Sequence, residues 1–307
     1  METIKIFCPA TLANLSCGFD VLGACLETIG DEMMITKSPN KGIRILNITG
    51  ADLPLDPTKN IAGVAALAML ESIPLNHGFD ISIDKKIKPG SGIGSSAASA
   101  SGAVFAINKL LGNRFSTKEL VSFAIEGEKL ASGVAHADNV APALFGGFTI
   151  IRSNSPLDII KIEAPEELYV SIVHPKIEIK TADARSVLRE TISLKKAIIQ
   201  CGNIAGLISG LYTSNYELIG RSLHDELVEP TRSIFIPGYD KMKKAALENG
   251  ALGYGISGSG PSVFTLSKGV TLAHTVAKAM RQVLEKIGLN HDVHISKINA
   301  TGIKIIN

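Results

Sequence analysis

The chain has 307 residues, of which 45% are hydrophobic and 20% charged, and its 31 Lys and Arg offset 29 Asp and Glu to leave a net charge of +2. Proteins that bind nucleic acid without regard to sequence carry a clear basic excess, and disordered chains have low hydrophobicity or high net charge, so the composition argues against both classes. Trp is absent and aromatic residues make up 5% of the chain, which argues against platforms that stack bases. Ten of the 29 glycines lie in three short segments, near 90–94, 146–147 and 250–260.

The cysteines and the first residues predict a location. Cys8, Cys17, Cys25 and Cys201 form no CxxC pair and have no histidine at a spacing suited to zinc, so we expect neither a disulfide framework nor a structural metal. The chain starts without a basic segment followed by an apolar one, and no run approaches the ~18 apolar residues of a membrane span. The sequence therefore predicts a cytoplasmic protein with neither a membrane partner nor a nucleic-acid partner.

Alternating apolar residues predict strands in the first half of the chain, and runs of small residues predict helices. The predicted strands cover about 4–8, 43–45, 79–83, 147–152 and 169–174, and the predicted helices cover about 60–70, 95–111 and 116–131. Ser116 and Glu119 fit a capping box at the start of the last of these helices. The stretch 153–167, rich in Pro, Asp and Glu, predicts a domain boundary.

The second half of the chain mixes helical and strand patterns. The predicted helices cover about 182–190, 193–213, 215–226, 238–248 and 270–287, and the predicted strands cover 251–256, 261–267, 291–299 and 302–306. Strands and helices do not alternate as strictly as in a doubly wound sheet. The pattern favours an α+β protein with two sandwich-like halves.

The strongest local pattern is the segment 89–98, PGSGIGSSAA, which runs directly into a predicted helix. Alternating glycines let backbone N–H groups approach an anion, and the start of a helix adds unpaired N–H groups and a positive dipole end. The segment lacks the Lys of a Walker A loop and the spacing and acidic residue of a Rossmann fingerprint. A flexible turn before a helix is the alternative to a phosphate-binding loop.

Two further segments carry groups suited to chemistry. Within 128–147, the carboxylate of Glu128 could hold Mg²⁺, while Asp138 and Asn139 could face a substrate. The alternative is that His136 is a loop histidine with its hydrogen bonds satisfied and that Asp138 is a helix N-cap. The glycines of 255–262, GISGSGPS, suggest close packing against the first loop, with a simple glycine hairpin as the alternative.

Several motifs together resemble the GHMP small-molecule kinases, from near the N-terminus to the final strand. They are PATLANL at 9–15 with GFDVLG at 18–23, PGSGIGSSAAS at 89–99, HADNVAPALFGG at 136–147 and GISGSGPSVF at 255–264. The likeness is greatest to the members that phosphorylate the side-chain hydroxyl of homoserine for threonine synthesis. The resemblance implies a two-domain GHMP kinase fold. Residues 1–155 would form an ATP-binding half like ribosomal protein S5 domain 2, residues 156–307 a ferredoxin-like half, with the active site between them.

The resemblance also implies roles for individual residues. The ATP-binding positions would be Asn60, at the adenine, and Pro89, Gly90, Ser91, Gly92, Ile93, Gly94, Ser95, Ser96 and Ala97, around the phosphates. The Mg²⁺ ligands would be Ser96 and Glu128. The homoserine site would contain Asn14, Asp20, His136, Asp138, Asn139, Arg185 and Arg232, with Asn139 and Arg185 as the catalytic residues. A homodimer is implied by the resemblance alone.

Charge complementarity supports an amino-acid acceptor. Asp20 and Asp138 suit the ammonium of homoserine, and the guanidinium groups of Arg185 and Arg232 suit its carboxylate. No Asp–Lys pair suggests a general base, so we expect catalysis by positioning and charge stabilisation, with the hydroxyl proton passing to a phosphate oxygen. Three alternatives stay open: a kinase for another acceptor such as mevalonate or a sugar, a non-catalytic sensor, and an RNA-binding protein of similar fold.

Overall fold

The computed structural model describes residues 2–133, 136–179 and 181–306, and it contains two sheets with helices packed against them. The strands are β1 (Thr3–Ala13), β2 (Leu22–Ser38), β3 (Gly42–Thr49), β4 (Gly78–Asp84), β5 (Phe148–Asn154), β6 (Leu157–Ile162), β7 (Leu168–Pro175), β8 (Gly253–Ile256), β9 (Val263–Lys268), β10 (His291–Lys297) and β11 (Lys304–Ile306). The helices are α1 (Ile61–Glu71), α2 (Ser95–Leu110), α3 (Thr117–Ser132), α4 (Val140–Phe145), α5 (Thr181–Ser186), α6 (Leu194–Thr213), α7 (Tyr216–Ser222), α8 (Glu229–Arg232), α9 (Tyr239–Glu248) and α10 (Val270–Lys286).

The larger sheet has the order β11-β1-β2-β4-β3, and β5 and β6 extend it from one end of the long strand β2. All its pairs are antiparallel except β3 with β4. Helices α1, α2 and α3 pack on one another and against this sheet. The small residues of α2 explain how it approaches β1 and β2 so closely, because a Cβ at Gly102 would overlap the sulfur atoms of Cys8 and Met33.

The smaller sheet is antiparallel with the order β10-β7-β9-β8. Its connections follow the β-α-β-β-α-β pattern of a ferredoxin-like unit, with α9 and α10 on one face. Successive residues of β7 point to opposite faces, so Ile172 joins the larger core and Val173 joins the core beneath α9 and α10. The two halves therefore share buried surface through β7.

Most predicted elements are confirmed, and the capping box at α3 forms both of its hydrogen bonds, Ser116 N to Glu119 Oε2 at 2.8 Å and Glu119 N to Ser116 Oγ at 3.4 Å. The stretch 153–167, where the sequence predicts a domain boundary, contains strand β6, which pairs with β5. The sequence patterns predicted neither the long strand β2 nor the short helices α4 and α8. A division of the chain after residue 155 stays a prediction, and the β5–β6 pair favours placing it after 162 instead. Among the described residues, no helix is long and apolar enough to cross a bilayer.

Candidate active site

The glycine-rich loop between β4 and α2 has the backbone conformation that an anion site needs. Gly90, Gly92 and Gly94 have φ of +75°, +81° and +72°, a region that other residues rarely adopt. A Cβ at Gly92 would lie 2.6 Å from the carbonyl oxygen of Gly260, and a Cβ at Gly94 would overlap the Thr11 hydroxyl. Gly94 is the N-cap of α2 and offers no side-chain cap, so the first N–H groups of the helix face the cleft.

Loop 257–262 holds this glycine-rich loop from behind. The Ser257 hydroxyl donates to the carbonyl oxygen of Gly92 at 2.7 Å, and the Ser262 hydroxyl donates to that of Ser91 at 2.6 Å. The prediction that the third glycine segment packs against the first is therefore confirmed. These two bonds fix the carbonyl groups of residues 91 and 92, and the N–H of Ser91 donates to Lys88 O at 3.2 Å within the loop.

A buried histidine, which the sequence did not single out, supports Ser262. His174 Nδ1 lies 3.1 Å from Ser262 Oγ, and it must be the donor because the single hydroxyl hydrogen of Ser262 goes to Ser91. Burial lowers the pKa of His174 to about 4, so the ring is neutral near pH 7. This chain of three residues connects β7 of the smaller sheet to the glycine-rich loop.

Ser96 and Glu128 meet as predicted. Ser96, in the first turn of α2, donates its hydroxyl to Glu128 Oε2 of α3 at 3.2 Å. Burial raises the pKa of Glu128 to about 7, with the Ser96 bond and the charge of Lys85 opposing that rise. A hydroxyl beside a carboxylate is a hard-oxygen pair of the kind that Mg²⁺ binds together with phosphate oxygens and water, so the donor set fits the ion.

A buried ion pair beneath the glycine-rich loop was not predicted. Lys85 Nζ contacts Asp31 Oδ2 and donates to Ser95 O at 2.8 Å and Ser99 Oγ at 3.1 Å. Asp31 Oδ1 accepts the N–H groups of residues 86 and 87 at 2.8 Å each. The pair thus fixes the chain that enters the loop to the first turn of α2. Nothing in the sequence separates Lys85 from the exposed lysines around it.

The opposite end of the cleft is built on loop 14–21, between β1 and β2. Asn14 and Asp20 both have positive φ, +71° and +56°. Asn14 Oδ1 accepts from Asp20 N at 3.1 Å, and its Nδ2 donates to the carbonyl oxygen of Gly258 at 2.8 Å. The Asn14 amide therefore shapes the loop, and its predicted contact with a substrate would have to compete with these two bonds.

Asp20, His136, Arg185 and Arg232 converge at this end, as expected. Asp20 accepts from Arg185 Nη2 at 2.6 Å and lies 3.6 Å from His136 Nδ1. Arg232 is 4% exposed and donates to Ala184 O at 2.9 Å and Gly258 O at 3.1 Å. Burial lowers the pKa of Arg232 to about 10, which leaves it cationic at neutral pH.

Asp138 and Asn139 lie between the two ends. Asn139 Oδ1 accepts from the Thr11 hydroxyl at 2.7 Å, an orienting bond that the sequence did not suggest. The alternative that Asp138 caps a helix is wrong, because α4 begins after Asn139. Burial first, and then the charges of Asp20 and Glu128, raise the pKa of Asp138 to about 7.

The cleft that joins these groups has a volume of about 370 Å³. Of the ten predicted ATP-binding residues, seven line it, namely Asn60, Pro89, Gly90, Gly92, Gly94, Ser95 and Ser96. Ser91, Ile93 and Ala97 are buried behind the loop and support its shape. Asn60 Oδ1 caps α1 through the N–H groups of residues 62 and 63, and Nδ2 donates to Pro54 O at 2.8 Å. An adenine contact by the Asn60 side chain stays a prediction.

The chain is similar in sequence and in fold to known proteins over its full length. Residues 60–147 match the model of the GHMP kinases N terminal domain, and residues 189–286 match that of the GHMP kinases C terminal domain. A homoserine kinase of Chlorobium phaeobacteroides (strain BS1) is 47% identical over the whole of both chains. The crystal structure of homoserine kinase from Cytophaga hutchinsonii superposes with a TM-score of 0.96 at 49% identity, covering 100% of this chain and 98% of that one.

A more distant structure shows how far the fold extends. L. major mevalonate kinase, solved with R-mevalonate, has a TM-score of 0.72 at 14% identity and covers 96% of each chain. That likeness concerns the fold alone. Together with the full-length matches and the two family models, it confirms the predicted two-domain architecture. The chain belongs to the GHMP kinase family and, within it, to the homoserine kinase branch.

Proposed function

We propose that the protein transfers the γ-phosphoryl group of ATP to the side-chain hydroxyl of homoserine. The observation that carries the proposal is a single cleft with a phosphate-binding loop at one end and an Asp20–Arg185–Arg232 cluster at the other. That cluster offers both charges that an α-amino acid requires. The full-length relatives at 47% and 49% identity, both homoserine kinases, support the same acceptor.

At the ATP end, the N–H groups of the glycine-rich loop and of the first turn of α2 would bind the phosphates. Ser96 and Glu128 would hold Mg²⁺, which when bound neutralises phosphate charge that develops during transfer. The apolar wall beyond them includes Leu53, Pro54 and Ile61, which suits the faces of an adenine ring.

At the acceptor end, Arg185 and Arg232 would bind the carboxylate of homoserine through forked hydrogen bonds. Asp20 and Asp138 would bind its ammonium group. Asp20 Oδ2 pairs with Arg185 Nη2 at 2.6 Å. When homoserine binds, its carboxylate would pair with Arg185 and its ammonium with Asp20, so two new ion pairs would replace the internal one. An acceptor that lacks either charge would leave one of these two side chains without an ion-pair partner and would bind less tightly.

Phosphoryl transfer then requires the homoserine hydroxyl to be aligned with the γ-phosphorus of ATP. The homoserine hydroxyl oxygen forms a bond to the γ-phosphorus as the bond to the oxygen that bridges the β- and γ-phosphates breaks, and ADP leaves. The hydroxyl proton passes to an oxygen of the transferred group, since the transition state is loose and requires little early help from a base. Thr11 fixes Asn139 Oδ1 and Asn139 lines the cleft, so its amide nitrogen would be available to orient the hydroxyl.

An acceptor screen tests the proposal. ADP release is measured with Mg²⁺ and ATP in the presence of homoserine, serine, mevalonate or galactose. We expect homoserine to give the highest kcat/KM. The Glu128→Gln variant, purified identically, controls for a contaminating kinase. Release with none of the four acceptors would overturn kinase activity, and release with mevalonate or galactose alone would reassign the acceptor.

Two further predictions concern the oligomeric state of the enzyme and its location in the cell. A homodimer is expected from the family resemblance. A cytoplasmic location is expected from the cysteines, which are all free in the described structure, with Cys8, Cys17 and Cys25 buried. Burial raises the pKa of the Cys17 thiol to about 12, which supports a packing role for this residue within loop 14–21.

A further inference from the structure

One aromatic ring contacts both arginines of the acceptor end. The guanidinium carbon of Arg185 lies 5.6 Å from the centre of the Phe19 ring, and that of Arg232 lies 5.0 Å from it. Phe19 is half-buried, lines the cleft and directly precedes Asp20. The loop that carries it is held rigidly, with Gly18 N donating to Asn14 O and Leu22 N donating to Gly18 O, both at 2.8 Å.

The positive charges of Arg185 and Arg232 oppose each other. Two guanidinium groups that bind one carboxylate repel each other before it arrives, and the charge of Arg185 is one cause of the lowered pKa of Arg232. Asp20 bonds to Arg185, whereas Arg232 is held by two backbone carbonyl groups. The negative face of an aromatic ring attracts a cation within about 6 Å, and Phe19 lies within that range of both.

We propose that Phe19 is a positioning residue that sets the spacing of Arg185 and Arg232 for the carboxylate of the acceptor. The inference rests on the proposed function, because the carboxylate belongs to homoserine. Asp20 also attracts both cations, through its bond to Arg185 and its charge near Arg232, but it occupies a donor of Arg185. The face of the Phe19 ring attracts both without using an N–H donor of either. Phe19 thereby contributes to acceptor affinity without donating or accepting a proton.

The first test compares side chains of different electronic character at position 19. Phe19→Leu keeps an apolar group and removes the π face, so we expect the KM for homoserine to rise on the order of ten-fold while the KM for ATP stays within two-fold. Phe19→Tyr keeps the aromatic face, so its KM for homoserine should stay close to that of the unsubstituted protein. Phe105→Leu is the matched control, because Phe105 also lies beneath a cation, Lys109 at 5.2 Å, but on the far part of α2.

A fluorination series separates the ring's charge distribution from its packing. Replacing Phe19 by mono-, di- and trifluorophenylalanine weakens the negative face stepwise with little change of size, so the KM for homoserine should rise stepwise at a constant thermal midpoint. An unchanged KM along the series, or equal rises for homoserine and ATP, would overturn the inference. Failure of the proposed function is visible separately, as no homoserine-dependent ADP release by the unsubstituted protein, and the inference then falls with it.

Discussion

Arg232 combines two tasks at the residue scale. Its Nε holds the carbonyl oxygen of Ala184, immediately before Arg185, so it fixes the position of the second arginine as well as supplying its own charge. A cation that is 4% exposed would be costly without such partners. The two backbone carbonyl groups accept from Nε and Nη1, and Arg232 also lines the cleft.

Arg232→Ala should therefore damage acceptor binding far more than nucleotide binding. Losing a buried charge partner costs about 2–5 kcal/mol, so we expect the KM for homoserine to rise about 10²-fold and the KM for ATP to change less than two-fold. Arg232→Lys, which keeps the charge without the fork, should be intermediate. Arg221→Ala, at an exposed ion pair, is the control in the same steady-state measurement. Parallel rises in both KM values would instead mean that Arg232 is purely structural.

At the element scale, the acceptor loop depends on a link that runs through α6. Gln200 Nε2 donates to Cys17 O at 2.7 Å and to Asp225 Oδ1 at 2.8 Å. The Asp225 carboxylate in turn accepts the N–H groups of residues 227, 228 and 229, where α8 begins. The buried Gln200–Asp225 pair therefore holds two parts of the acceptor site from outside the cleft. These are loop 14–21 and helix α8, which carries Arg232.

The glycine-rich loop gives a prediction with a matched control. Gly92 and Gly112 both have positive φ, +81° and +77°, so an alanine at either position carries similar backbone strain, about 1–2 kcal/mol. A Cβ at Gly92 also meets two carbonyl oxygens of loop 257–262 at 2.6 and 2.8 Å, whereas a Cβ at Gly112 meets open space. We expect Gly92→Ala to raise the KM for ATP at least ten-fold and Gly112→Ala to leave it within two-fold. An unchanged KM in Gly92→Ala would refute the close packing.

The sequence predicted the parts of the site that depend on short-range patterns. Glycine spacing and the helix that follows it were sufficient to predict the glycine-rich loop, and the contact between Ser96 and Glu128 agrees with their predicted pairing. Their roles toward ATP and Mg²⁺ stay predictions. The supporting shell was not predictable, since His174, Lys85 and Gln200 reach the site only through pairings between distant segments. Strand β6 was not predicted because the Pro, Asp and Glu residues around it are typical of a domain boundary, whereas the strand forms through its pairing with β5.

At the scale of the whole molecule, buried carboxyl groups link stability to pH. Glu229 is buried beneath Tyr239, whose hydroxyl donates to it at 3.0 Å. Burial, with a contribution from the charge of Asp225, raises the pKa of Glu229 to about 7 from an ordinary value of 4.5. Between those two pH values the folded chain keeps a proton that the unfolded chain has lost. The free energy of unfolding therefore falls as the pH rises through this window, and it levels off above it.

Glu229→Gln should remove that contribution. A shift of this size corresponds to about 3 kcal/mol, so the urea midpoint of the variant should exceed that of the unsubstituted protein at pH 7.5 and match it near pH 4.5. Glu217→Gln, whose side chain is 87% exposed, is the control. A variant with the same pH dependence as the unsubstituted protein would show that Glu229 titrates normally in the fold.

The carbonyl oxygen of Gly258 accepts from both Asn14 and Arg232, and the loop that contains it holds Gly92 through Ser257. Because this shared atom belongs to the main chain, no substitution at position 258 can delete it. Effort to redesign the enzyme for a different alcohol must therefore retain donors at positions 14 and 232, even if the new alcohol carries no carboxylate. Redesign of the acceptor site would therefore begin at other residues that line this end of the cleft, such as Phe19, Asp20, His136 and Arg185.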